Sequence, residues 1–358
     1  MPTSDSPLQK SHTLAEILSQ PEVWLTVLQQ AQSSPAFQST VEQASSRREW
    51  LFLGCGTSFY LAEAAAATWT LLTGQFARAL PASEPLLFPD LARLGTPGLQ
   101  AVVISRSGRT SEAIRAAQIL SRDYKVPTLG ITCASGSALA QTCDLTLELS
   151  AADEKSTVMT RSFTSMLVAL QHLAASCAGA RTILEAAPIV SVQLAAQIHG
   201  FDRRIEAFVA GRDFANYVFL AQGPFYAVAR EAGLKVTEMS CAYGQTYHTL
   251  EFRHGPKAIV APETCLTFFL SEKGYEAECE TLFEMKELGG TIIAVSNRAS
   301  EAVRRSSDLV LELGATAPEI SLLAPFIVPA QLLGFHTGTK KGLDPDHPRH
   351  LSRVVILD

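Results

Sequence analysis

VVISRSGRTSEAIRAA, residues 102–117, decides the fold. Val102, Val103 and Ile104 form a β-prone run. It feeds a turn of Ser105, Arg106, Ser107, Gly108, Arg109, Thr110 and Ser111, after which an amphipathic helix begins at Glu112. The first N–H groups of a helix have no intrahelical partner and its N-terminus carries about half a positive charge, so phosphate is favoured there and hydroxyls add donors. A helix cap accounts for one such hydroxyl. This turn offers Ser105, Ser107 and Thr110 together with two arginines, more than a cap uses, and reads as a phosphate cradle.

The same order recurs upstream. WLFLGCGTSFYLAEAAAATWTLL, residues 50–72, is a strand, a Gly-rich turn and an Ala-rich helix. Its Gly54-Cys55-Gly56 opens like a dinucleotide fingerprint, but the third glycine position holds Phe59, which argues against a nicotinamide cofactor. Thr57 and Ser58 place further hydroxyls at a helix start. A short strand at 76–80, a helix after Pro85, a strand at 127–132, a helix around 137–142 and a strand at 145–149 complete an alternation that predicts a parallel sheet covered on both faces.

The second half repeats the first. TLGITCASGSALAQTCDLTLEL (128–149) aligns with TIIAVSNRASEAVRRSSDLVLEL (291–313), residues 217–223 match 51–56, and residues 266–270 stand where 102–104 stood. Two copies of one α/β domain are the economical explanation, joined by a helical stretch at 164–208. In the second copy the Ser-rich turn has become SEKGYEAE, with acidic residues where an anion would sit. The first copy is therefore expected to hold the phosphate. Ahead of both copies, apolar residues at helical spacing over 13–31, split by Pro21, predict a two-helix N-terminal arm behind a loose tail at 1–10.

Composition narrows the function. The 358 residues are 47% hydrophobic and 18% charged, enough for two packed domains, and the net charge of −6 without a basic run argues against nucleic acid or an anionic membrane as partner. The seven cysteines include no C-x-x-C pair, which fits reduced thiols in a cytoplasmic protein. No basic-then-apolar leader is seen at the N-terminus. The Ala-rich helix at 61–72 is too short to span a bilayer, and the apolar run at 322–335 is expected to be broken by Pro325 and Pro329. His347 and His350 lie in a Pro-interrupted loop without Cys or Glu partners, so no metal site is expected there.

Candidate acid–base residues cluster later. In YAVAREAGLKVTEMS, Glu231, Lys235 and Glu238 fall on one helical face at i, i+4 and i+7; spacing alone fits a solvated Glu–Lys pair equally well. His254, in EFRHGPKAI, precedes a Gly-Pro turn, a loop position from which a histidine can serve as acid or base near neutral pH.

Taken together, SRSGRTSE, GCGTS, EAGLKVTE, EFRHGPK and KKGLDPDHPRHL resemble the double SIS (sugar isomerase) proteins over about residues 46–358. That family includes the isomerase half of glucosamine-6-phosphate synthase and AgaS-type galactosamine-6-phosphate deaminase/isomerases, whose start the Gln20-Pro21…Trp24 segment is similar to. The resemblance implies an α/β fold of two flavodoxin-like three-layer repeats: an arm at 1–45, a phosphate-binding domain at 46–195, a catalytic domain at 196–337 and an active-site tail at 338–358. It implies sugar phosphate against Ser105, Ser107 and Thr110, with Thr57, Ser58, Gly56 and Cys55 completing the cradle. Glu238 stands where the family moves the proton between C1 and C2, and Glu231 and Lys235 stand at the neighbouring ring-opening and support positions. His254 matches a histidine supplied by a partner subunit, implying a homodimer with shared sites, and Lys341 matches a tail lysine that closes over the open-chain sugar.

Some positions depart from the pattern. Thr157, Val158, Met159, Thr160 and Arg161 replace the synthase segment that contacts sugar hydroxyls, so Thr157 and Arg161 are expected to contact the sugar differently. Arg106 and Arg109 add charge near the phosphate. No glutaminase segment with an N-terminal cysteine nucleophile precedes the arm, so ammonia delivery from glutamine is not expected. The expected activity is deamination and isomerisation of a hexosamine 6-phosphate without cofactor. Plain aldose–ketose isomerisation and a non-catalytic sugar-phosphate sensor are the alternatives.

Overall fold

The computed structural model describes residues 11–357; the loose tail expected at 1–10 lies outside the described residues. The chain opens with helices α1 (His12–Leu18), α2 (Gln20–Ser33) and α3 (Pro35–Gln43), the last an addition to the two that apolar spacing predicts. Pro21 occupies the first turn of α2, where a missing N–H leaves nothing unpaired, so it starts that helix.

The first repeat comprises β1 (Glu49–Gly54), α4 (Thr57–Thr73), β2 (Phe76–Pro81), α5 (Glu84–Leu87), α6 (Pro89–Ala92), β3 (Leu99–Ile104), α7 (Ser111–Arg122), β4 (Thr128–Thr132), α8 (Ala138–Thr142) and β5 (Leu145–Glu148). The connector is α9 (Arg161–Ala178), α10 (Arg181–Leu184) and α11 (Ala186–Ala210). The second repeat follows as β6 (Asn216–Ala221), α12 (Phe225–Ser240), β7 (Gly244–His248), β8 (Thr264–Leu270), α13 (Tyr275–Glu287), β9 (Thr291–Ser296), α14 (Glu301–Ser306) and β10 (Leu309–Glu312), and α15 (Leu323–Lys340) closes it.

Both sheets are wholly parallel and share one topology: β2-β1-β3-β4-β5 in the first repeat and β7-β6-β8-β9-β10 in the second. Their strands are apolar on both faces because both faces are covered. Trp50 and Phe52 point into a core shared by the two sheets, while Leu51 and Leu53 pack with Ala113, Ala116 and Leu120 of α7 on the outer side. Tyr217 and Phe219 against Val218 and Leu220 repeat the pattern.

The N-terminal helices pack onto the rest of the chain: Trp24 is buried and donates through Nε1 to Thr164 Oγ1 at 2.9 Å, and Gln20 Nε2 donates to Gln331 Oε1 at 2.8 Å, tying α2 to α9 and α15. The division at 195/196 falls inside α11, which runs unbroken because its apolar stripe feeds the shared core. The run at 322–335 is likewise continuous. Contrary to the expected break, Pro325 sits in the first turn of α15, and Pro329 removes one ladder donor without interrupting this buried helix. The segment Glu319–Lys340 is, among the described residues, long and apolar enough to cross a membrane, yet its apolar window is 94% buried, the signature of a core helix.

Candidate active site

In a sheet of order 2-1-3-4-5 the chain leaves β1 and β3 toward opposite neighbours, and a crevice opens beyond their carboxyl ends. The two turns at that crevice are residues 55–56, entering α4, and 105–110, entering α7. Among the described residues, neither N-cap residue, Gly56 or Thr110, makes a side-chain capping bond. The hydroxyls are placed differently: Ser105 Oγ lies 3.1 Å from Thr110 Oγ1, Thr57 Oγ1 donates to Glu231, and Ser58 Oγ sits 3.9 Å from Met159 Sδ. The turn is thus more than a cap.

Two glycines make the crevice tight. A Cβ at Gly54 would stand 2.3 Å from the Ser58 carbonyl oxygen, so the close approach of α4 to its strand is achieved through Gly54 although Phe59 fills the third glycine position. Gly108 has φ +60°, and a Cβ there would meet Ser137 Oγ at 2.1 Å. The resulting cleft holds about 230 Å³ and is lined by Cys55, Gly56, Thr57 and Ser58 from one turn and by Arg106, Ser107 and Thr110 from the other. Ser105 is buried behind Thr110 rather than on the wall. Burial, with the nearby Glu112 carboxylate, pushes the Cys55 thiol up to about 11, so it lines the site as a neutral group.

α12 from the second repeat forms the far wall. Its three charged residues do share a face, but that face is buried: Glu231 and Lys235 are 0% exposed, and only Glu238, at 18%, reaches the cleft. The solvated-pair alternative is therefore excluded. Lys235 Nζ bonds to Glu238, lies 3.4 Å from Glu231 Oε1 and donates to Thr57 Oγ1 at 3.1 Å. Burial raises Glu231 to about 8; Lys235 and Thr57 offset that only in part, and Glu231 Oε2 finds no hydrogen-bond partner among the described residues. Burial pulls the Lys235 ammonium down, but the two glutamates outweigh it and hold it above its usual range. Lys235 and Glu238 are thus the ion pair, with Glu231 the neutral member near pH 7.

Other expected site residues lie elsewhere. The Arg106 side chain edges the cleft, but its guanidinium donates to the carbonyls of Thr157 (3.0 Å), Val158 (3.3 Å) and Arg353 (3.2 Å) and is 3.5 Å from Glu154 Oε2. Thr157 does line the cleft, beside Met159. Arg161 does not: its guanidinium is held by Ser19 Oγ and the Asp153 carbonyl at the start of α9. Lys341 is also outside, exposed at the end of α15 with its Nζ donating to the Ser240 carbonyl at 3.1 Å. What the tail brings to the cleft is the segment 351–355, including Arg353. The signal available in sequence was the second basic residue of HPRHLSR, closer to the chain end. His254 is exposed in a turn after β7 and does not touch this cleft.

The second repeat shows why only one cradle is open. Glu278 carboxylate oxygens accept from Ser271 N (2.7 Å) and Oγ (2.9 Å), and Glu319 accepts from the backbone N–H groups of Glu272 and Lys273. The donors that would bind an anion are filled by the protein's own carboxylates. Burial raises Glu278 to about 7, against the lowering effect of its Ser271 bonds.

Comparison with known proteins fits this duplicated geometry. The SIS domain matches residues 44–176 and again 214–336. The chain belongs to the SIS-domain family. Its relatives include the glutamine–fructose-6-phosphate aminotransferases of Methanothermobacter thermautotrophicus, 25% identical over 89% of this chain and 53% of that protein, and of Pyrobaculum aerophilum, 28% identical over 96% and 57%. The chain spans about half the length of these curated relatives. Among solved structures, a glucosamine-6-phosphate deaminase from Thermotoga maritima is 29% identical with a TM-score of 0.73, covering 97% of this chain and 100% of that one. A tagatose-6-phosphate ketose/aldose isomerase from Escherichia coli, at 22% identity and TM-score 0.83 over 97% of this chain and 99% of that one, shares the fold.

Proposed function

We propose that this SIS protein is an enzyme that deaminates and isomerises a hexosamine 6-phosphate. The observation that carries the reading is Glu238: it is the member of the α12 trio that reaches the cleft whose other side is the hydroxyl-rich cradle. The phosphate is anchored between the starts of α4 and α7, which makes the reaction at the far end of the sugar a positioned one. Glu238 removes the proton from C2 of the opened aldose and returns it to C1, passing through an enolamine. Water then hydrolyses the C2 imine, giving ketohexose 6-phosphate and ammonia. Lys235 fixes the Glu238 carboxylate throughout.

The likeness to the Thermotoga deaminase supports the release of ammonia. Purified protein incubated with glucosamine 6-phosphate or galactosamine 6-phosphate should yield ammonia and ketose in equal amounts. Ketose from a neutral aldose phosphate, with no ammonia from either aminosugar, would replace deamination by isomerisation. Sugar-phosphate binding without turnover would make the protein a sensor.

His254 completes the reading as a group lent to a second copy, supported by its exposure and by its not lining the cleft of its own chain. Mixing two inactive variants, His254→Asn and Glu238→Gln, should restore activity through mixed dimers in which one site is intact. No recovery on mixing removes the shared site.

A further inference from the structure

Arg106 stands in the phosphate turn but its donors are spent on main chain. Its side chain is 4% exposed, and three carbonyls, those of Thr157, Val158 and Arg353, receive its N–H groups. Its positive charge is met by Glu154, a carboxylate 2% exposed that is itself held by Thr160 N (2.8 Å), Thr160 Oγ1 (2.7 Å) and Ser162 Oγ. A guanidinium has five donors in a rigid fork and suits bridging of this kind, whereas a lysine offers a single point. The Arg106 carbonyl is fixed in turn by Thr132 Oγ1 and Cys133 N.

The third carbonyl belongs to an exposed strand of tail. Residues 351–357 cross the mouth of the cleft, attached by Arg106 to the Arg353 carbonyl, Arg353 to Asp153 at 2.5 Å, Ser111 N to the Val355 carbonyl at 3.4 Å, Leu357 N to Ser111 Oγ at 2.9 Å and Arg115 to the Leu357 carbonyl at 3.4 Å. These are polar and mostly exposed contacts, so the strap can open at small free-energy cost. Among them the Arg106 bond is the one that reaches into the buried wall, linking the strap to the turn that receives the phosphate.

We propose that Arg106, seated by Glu154, is a positioning residue that holds the C-terminal strap over the cleft, rather than a ligand of the substrate's phosphate. This rests on the reading of the cleft as a sugar-phosphate site. Binding at the turn and closure of the strap are then linked through the backbone of one turn, which presents Ser107 and Thr110 to the cleft and carries Arg106 to the strap. A substrate seated on Ser107 and Thr110 is enclosed because the same turn carries the strap's anchor.

The test uses the full chain and Arg106→Gln. Hydrogen exchange of the 351–357 amides should accelerate, while the affinity for inorganic phosphate stays within about threefold. The kcat for hexosamine 6-phosphate should fall by about tenfold or more as the enclosing wall loosens. Loss of phosphate affinity by about tenfold with unchanged tail exchange overturns the proposal and makes Arg106 an anion ligand. Asp153→Asn, an exposed change that frees Arg353 from the other side, should accelerate the same amides; unchanged exchange in both variants also overturns it. Exchange and phosphate binding need no turnover, so they decide the strap even where the hexosamine assay fails.

Discussion

Thr57 Oγ1 lies 3.1 Å from Lys235 Nζ across 178 residues of sequence and joins the start of α4 in one repeat to α12 in the other. The same hydroxyl donates to Glu231 at 3.2 Å. A single oxygen therefore bonds both an ammonium and a carboxyl group that are withdrawn from water. Thr57→Val keeps the shape and removes both bonds. It should cost about 1–3 kcal/mol, since a buried polar group left unpaired bears its full desolvation penalty. Thermal unfolding of the variant measures the loss, and an unchanged transition would show that the hydroxyl carries no such role.

Glu238→Gln should lower kcat by about a hundredfold to ten-thousandfold, the usual contribution of a positioned proton-transfer group. Phosphate affinity should be nearly unchanged, because the cradle is built from other residues. Titration with inorganic phosphate alongside turnover separates the two, and retained turnover would remove Glu238 as the base.

Glu231 is neutral below about 8 and anionic above it. Once ionised, it competes with Glu238 for the Lys235 ammonium and disturbs the ion pair that orients the base. The pH profile of kcat should therefore decline on the alkaline side near that value. Glu231→Gln, which cannot ionise, should lose this limb; a limb that persists unaltered assigns the titration to another group.

Glu278 is raised from 4.5 to about 7 by burial, so folding favours its protonated form. Its contribution is fully present below pH 4.5 and is lost as pH climbs through about 7. Thermal stability should carry a downward component across that window. In Glu278→Gln that component should disappear, and a pH-stability curve identical to that of the parent protein would contradict the assignment.

Gly54→Ala should push α4 away from β1, because the added Cβ would overlap the Ser58 carbonyl at 2.3 Å. Overpacking against backbone costs about 1–3 kcal/mol. The displaced helix start should also weaken inorganic-phosphate binding, read by calorimetry; full binding would mean that the turn relaxes without moving its donors.

Much of this was legible in the sequence. Alternating apolar strands and helices, repeated with the same turn positions, determined two parallel sheets, because period and turn chemistry are local properties of the chain. The turns at residues 55–58 and 105–110 that line the cleft were visible for the same reason, as was the shared face of Glu231, Lys235 and Glu238, set by 3.6-residue periodicity. Whether that face met water or protein was not local. Only the packing of α12 against α4 buries Lys235 and leaves Glu238 at the cleft. Tertiary structure also decided that the tail brings Arg353 rather than Lys341 to the cleft, that Arg161 bonds elsewhere, and that the 102–117 turn sends the Arg106 guanidinium to Glu154 and the tail. A side chain's partner across a hundred residues depends on how whole elements dock, and no spacing within the turn encodes it.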